Sequence, residues 1–212
     1  MKKTFLAAAL GFSVLFGMTG TANAAIVSDL NKAAAAADGW TIVYQGGYGT
    51  YFDYAAVLNS IAPGSQVALA SSANTTADSF DLFAGTSLSI LQTITGYNTT
   101  IFADDAYWYR NDNSVGFAPN APIYQTSADV VGAGWGHNDE LNDGDLRLSW
   151  HGGDGTVYGG WRSGLNVWLN DDNTWQRYVL VKGAAVPEPG SLALLGLGLA
   201  GLAARRRLTK KA

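Results

Sequence analysis

Cysteine is absent from the 212 residues. That excludes disulfides, thiolate nucleophiles and Cys-ligated zinc or iron–sulfur sites. It leaves an oxidising compartment open, because a domain of this size can fold without covalent staples. Histidine is scarce, with only His137 and His151 present. No zincin, phosphate-loop or dinucleotide-binding fingerprint occurs. Glutamate is nearly missing from the middle of the chain: between Ala25 and Ala185, Glu140 stands beside fifteen aspartates. Basic residues are thin there too, six against sixteen acidic ones, a net charge of −10. Such a surface repels nucleic-acid phosphates and anionic lipid. Cations and neutral polymers such as glycans suit it better.

The remaining seven basic residues lie at the two ends: Lys2, Lys3, Arg205, Arg206, Arg207, Lys210 and Lys211. Residues 1–24 have the build of a secretory signal. Lys2 and Lys3 begin it, Thr4 to Met18 form an apolar run, and Ala22-Asn23-Ala24 supplies the small-x-small pattern that signal peptidase accepts. Export through the Sec translocon and cleavage before Ala25 are expected; an uncleaved N-terminal anchor is the alternative. The far end mirrors this. Val186-Pro187-Glu188-Pro189-Gly190 stops any preceding strand, since neither proline donates to a ladder. Ser191 to Ala204 is uncharged and rich in Leu, Ala and Gly. As a helix its fourteen residues span roughly 21 Å, short of a ~30 Å hydrocarbon core. It suits a temporary hold in the inner membrane better than a permanent one. Both basic clusters stay cytoplasmic by the positive-inside rule, which places everything between them outside.

The motif Val186-Pro187-Glu188-Pro189-Gly190-Ser191, the apolar stretch and Arg205-Arg206-Arg207 together resemble the PEP-CTERM sorting signal. The resemblance implies recognition by an exosortase, with processing at Pro187, Glu188 and Pro189. It also implies a Gram-negative host that makes exopolysaccharide or biofilm, and a final place on the outer surface or in the matrix. A plain tail anchor is the competing interpretation. The chain thus divides into a signal peptide (1–24), a passenger (25–185) and a sorting segment (186–212).

The passenger has the pattern of a mainly β domain, an antiparallel sandwich or jelly roll with one or two short helices. Helices are expected over Ile26 to Ala37, capped by Ser28 and ended by Gly39, and over Phe52 to Ile61, capped by Asp53 and stopped at Pro63-Gly64. Strands are expected over Trp40 to Gln45, Gln66 to Ala70, Ser79 to Ala84, Leu88 to Thr95, Thr100 to Tyr109, Asp145 to His151, Leu165 to Leu169 and Trp175 to Lys182. Leu146, Leu148 and Trp150 alternate onto one face, with Arg147, Ser149 and His151 on the other. Turn signals fall at Ala84-Gly85, Asp143-Gly144, Gly152-Gly153-Asp154-Gly155 and Asp171-Asp172-Asn173.

Three chemistries compete with ordinary structural roles. Asn138 to Asp145 gathers four carboxylates in eight residues, with Asp139, Asp143 and Asp145 as candidate calcium ligands. Asp104-Asp105 and Asp171-Asp172-Asn173 add more. The EF-hand register fails, because Gly144 at the sixth position puts Leu141 third and Trp150 twelfth. Asp/Asn-rich turns capping their own backbone explain the run equally well. Five tryptophans fall between Trp135 and Trp175. Trp135, Trp161 and Trp168, beside Asn138, Arg162 and Asn166, would suit a glycan groove, since a sugar offers a C–H face to a ring and hydroxyls to polar neighbours. Filling a β core is the plainer role. A Ser149–His151–Asp154 triad is unsupported, because strand neighbours two apart do not supply that geometry and no nucleophile elbow surrounds Ser149. The expectation is therefore a non-enzymatic envelope or matrix protein, glycan-binding or structural, with no cofactor beyond a candidate calcium. The alternative is a polysaccharide hydrolase or lyase that uses Asp carboxylates.

Overall fold

The computed structural model describes residues 25–96, 99–111, 114–120, 146–153 and 155–183. One antiparallel sheet has the order β1 (Val27–Asn31), β5 (Ser79–Ser87), β4 (Gln66–Ser72), β13 (Gln176–Lys182), β2 (Thr41–Gly47). The other runs β12 (Asn166–Val167), β11 (Arg162–Ser163), β9 (Leu148–Gly153), β8 (Ser114–Ala118), β7 (Ala106–Arg110), β6 (Ile101–Ala103). Strand β10 (Thr156–Val157) joins β9 to the short β3 (Phe52–Asp53). The described residues are mainly antiparallel β, as the alternating patterns predict.

The helices are shorter and differently placed than the sequence suggests. Val27 to Asn31 pair with β5, so the expected first helix opens as a strand. Asp29 sits at φ 55°, which no helix tolerates, and helix α1 (Lys32–Ala37) starts only where the alanines do. Asn31, not Ser28, is its cap, accepting from the Ala34 N–H at 3.1 Å. Gly39 ends it at φ 93° as expected. Helix α2 (Tyr54–Asn59) is capped by Asp53, as predicted, at 2.7 Å from the Ala56 N–H. The expected strand from Leu88 is instead helix α3 (Leu88–Gln92). Leu88 and Leu91, three apart, share one buried face, a helical rather than a strand spacing. Ala84-Gly85 is no turn; both residues lie inside β5, paired with Leu69 and Ala68. Thr100 to Tyr109 folds back on itself at Asp104-Asp105, which adopt φ 51° and 59° between β6 and β7. Those angles suit a tight primed hairpin turn.

The inner faces of the two sheets meet through Val67, Leu69 and Val179 on one side and Val115, Phe117, Leu148 and Trp150 on the other. Burying a Val, Leu or Phe side chain in this way contributes about 1.5–3 kcal/mol. The outer face of the first sheet is also covered. Ala35 of α1 and Trp40 pack on Ala68, Ala70, Phe83, Tyr178 and Leu180. That is why β4 is apolar on both faces.

Arg177 also points inward, fully buried. Its guanidinium donates to the carbonyls of Gly159 (2.8 Å), Gly47 (2.7 Å) and Thr50, and lies within 5.5 Å of the Tyr48 and Phe52 rings. This fork ties β2 and the loop after it to the segment entering β11.

Candidate functional site

The site builds outward from β9. His151 closes the polar row of that strand, and its N–H donates to the Gly159 carbonyl at 3.1 Å. Gly155, at φ 84°, turns the chain back, and the Tyr158 N–H returns to His151 at 3.2 Å. Trp161 then donates its N–H to Ser149, and β11 and β12 form a hairpin about Gly164 at φ 58°. Trp168 follows at φ 64°, a conformation that L-residues other than Asn and Asp rarely adopt. The Leu169 N–H closes onto the Trp161 carbonyl at 3.3 Å, which fixes the two tryptophans side by side.

Their rings meet edge to face at 4.8 Å, and His151 meets Trp161 in the same way at 4.5 Å. Tyr158 lies 6.0 Å from His151. The result is a continuous aromatic shelf: Tyr158, His151, Trp161, Trp168. Trp161 is its buried root at 7% exposure; Trp168 (47%) and Tyr158 (52%) are its open ends. The support beneath is polar and rigid. Ser163 meets Ser71 of β4 hydroxyl to hydroxyl at 2.5 Å. The Tyr48 hydroxyl points at the Arg162 carbonyl at 3.4 Å, and burial drives its pKa upward, keeping it protonated. Asn170 accepts from the Gly160 N–H at 3.0 Å. Gly160 is required, because a Cβ there would overlap the Tyr48 ring.

Of the residues singled out as glycan ligands, the fold brings Trp161 and Trp168 together but turns Arg162 inward. Its side chain is buried and its Nε donates to the Gly164 carbonyl at 3.0 Å, so it holds the hairpin rather than facing solvent. Asn166 is exposed, its amide 3.4 Å from the Ser163 carbonyl. Trp135 and Asn138 lie outside the described residues. Tyr158 and His151 join the shelf without having been singled out for it. The signal for them is the glycine-rich turn pattern of the sequence after His151, where β10 pairs back onto β9 and brings Tyr158 beside His151.

The acidic pairs within the described residues act as turn formers. Asp104 accepts from the Thr86 hydroxyl at 2.7 Å. Asp172 accepts from the Thr174 and Trp175 N–H groups at 2.7 and 3.2 Å. Burial works against its charge, but hydrogen bonds from Thr174 and Trp175 hold its carboxyl below the usual range. Among the described residues no cluster of three metal-ligating side chains exists. The candidate calcium ligands Asp139, Asp143 and Asp145 lie outside them. Ser149 is fully buried on its strand. A shallow cavity of about 280 Å³ lies at the opposite end of the first sheet, between Asn59, Ile61, Pro63, Ser87 and Gln92, and no titratable group lines it.

Of the processing residues only Ala25 is described, exposed two positions before β1. Ala22, Ala24, Pro187, Glu188, Pro189, Arg205, Arg206 and Arg207 lie outside. Among the described residues no helix is long and apolar enough to cross a membrane. Residues 185–207 match the family model for the PEP-CTERM protein-sorting motif. The motif implies exosortase recognition and an extracellular destination reached through membrane-anchored sorting. No curated protein and no solved structure matches the chain.

Proposed function

We propose that the β domain is a non-enzymatic carbohydrate-binding module of an exported chain whose tail an exosortase processes, and that its ligand is a neutral glycan taken on the aromatic shelf. The carrying observation is Trp168: a large ring left about half exposed, on backbone of positive φ, and braced against Trp161. Such a backbone costs about 1–3 kcal/mol and persists only where surrounding structure over-determines it, a pattern that clusters at ligand clamps. A pyranose ring can lay its C–H face on the exposed indole while its hydroxyls remain in water. The −10 charge of the passenger favours uncharged polymer over polyanions.

Affinity electrophoresis through gels of neutral and acidic polysaccharides tests this. The wild-type domain is expected to be retarded by a neutral polymer, and Trp168→Ala to lose at least tenfold in affinity, about 1.4 kcal/mol. Equal mobility of both proteins in every gel would sink the proposal. Release of reducing ends from the polymer would replace it with the hydrolytic alternative.

A further inference from the structure

The shelf has a continuation beyond Tyr158. Val157 pairs with Phe52, and Thr156 with Asp53. One step further in that register, Tyr51 stands opposite Tyr158. Neighbours along a strand point to opposite faces, and both Val157 and Phe52 are buried. Tyr158 and Tyr51 therefore turn outward together, Tyr51 the more exposed at 65%. On its other side Val157 pairs with Gly152, which brings Tyr158 to His151. The ends of three adjacent strands, about 4.8 Å apart, thus carry one row of rings.

The backbone under Tyr51 is held on both sides. The Thr50 carbonyl accepts from the buried Arg177 guanidinium. Phe52 stacks on Tyr44 with ring centres 3.7 Å apart. An exposed ring on backbone so fixed gives up little freedom when a ligand lies on it. From Tyr158 the ring centres follow one another at 6.0, 4.5 and 4.8 Å as far as Trp168. A pyranose unit is of similar length to one of these steps. One sugar can cover one ring, and only a chain of sugars reaches from Trp168 to Tyr51. Both terminal rings are exposed, which leaves room for a polymer to continue past them.

We propose that the shelf takes the interior of a glycan chain laid along it, rather than a terminal sugar, and that Tyr51 is its outermost contact. This rests on the carbohydrate-binding reading and adds to it the form of the ligand and a further binding residue.

The test sets galactomannan, xyloglucan, mixed-linkage β-glucan and dextran in separate affinity gels. Size-sorted oligosaccharides cut from the same polymers compete as free ligands. Competition by fragments of the retarding polymer is expected to strengthen about tenfold with length and to level off at about five units. Reducing the end sugar of a long fragment to its open alditol should leave its affinity unchanged. Tyr51→Ala should lose about fivefold against long fragments. Against disaccharides it should lose nothing, whereas Trp168→Ala loses against both. Phe102→Ala removes a ring that is 61% exposed on β6, at the opposite edge of the second sheet, and should lose nothing against either. An unchanged melting temperature shows that Tyr51→Ala is folded. A plateau already at the disaccharide would overturn the row while leaving glycan binding intact. So would Tyr51→Ala binding long fragments like wild type, or Phe102→Ala losing as much as Tyr51→Ala. Absence of retardation in every gel would overturn both readings.

Discussion

The cations between Ala25 and Ala185 are drawn inward. Arg147, Arg162 and Arg177 are buried, Lys32 lies over the Phe80 and Tyr178 rings, Arg110 donates to the Leu91 and Gln92 carbonyls, and Lys182 is paired. Arg110, Arg162 and Arg177 satisfy backbone carbonyls, while no acidic side chain among the described residues is fully buried. Arg177 is the extreme case. Replacing it with Ala leaves three carbonyls short of a donor and opens a cavity, so a loss of about 3–5 kcal/mol is expected. Urea unfolding checks this, and Arg177→Lys should recover only part of the loss because an ammonium cannot fork. Asp81 offers a second test. Burial raises its pKa, the Ala73 N–H at 2.6 Å lowers it, and the neighbouring Asp29 raises it again. A raised folded value means the native state holds its proton longer, so stability falls as pH climbs from the ordinary carboxylate range through that value. Asp81→Asn keeps an acceptor for Ala73 and should melt higher than wild type at neutral pH, with the gap closing in acid. A gap that stays constant with pH would refute this assignment.

Among the elements, the strands whose alternation is clean and helix α2 with its Asp53 cap were legible; the start of α1 and the helical state of α3 were not. Leu148 and Trp150 face the core as their spacing predicts. Their polar neighbours Arg147 and Ser149 are buried as well, which alternation cannot reveal, since it reports which face a residue takes but not whether that face is covered. Five alanines read as helix formers drew the expected first helix too far forward, over residues that β5 claims by pairing. Propensity is local and strand pairing is not. The shelf was half legible: tryptophan density pointed to Trp161 and Trp168, while the inward turn of Arg162 depends on the Gly164 hairpin. That hairpin rests on Tyr48 through Gly160. Gly160→Ala is expected to lose about 1–3 kcal/mol, visible as a lowered melting temperature. It should weaken glycan retention too. Gly183→Ala, whose Cβ would meet nothing within 4 Å, should leave both unchanged.

For the whole molecule, entry and exit share one end: Lys182 of β13 pairs with Gln66, and β1 starts opposite Phe83 and runs away from that end. The placement of β13 carries a further consequence. It is the last strand of the described residues, yet it lies in the interior of its sheet, flanked by β4 and β2. Until Gln176 to Lys182 arrive, β2 has no neighbour in that sheet and the Arg177 brace does not exist. Pairings across more than a hundred residues, such as Gly47 with Gln176, close late because their loop entropy is large. The sheet therefore closes between β4 and β2 only once residues 176–182 have been made, immediately ahead of the matched motif at 185–207, so a chain cut short of β13 leaves a seam through its middle.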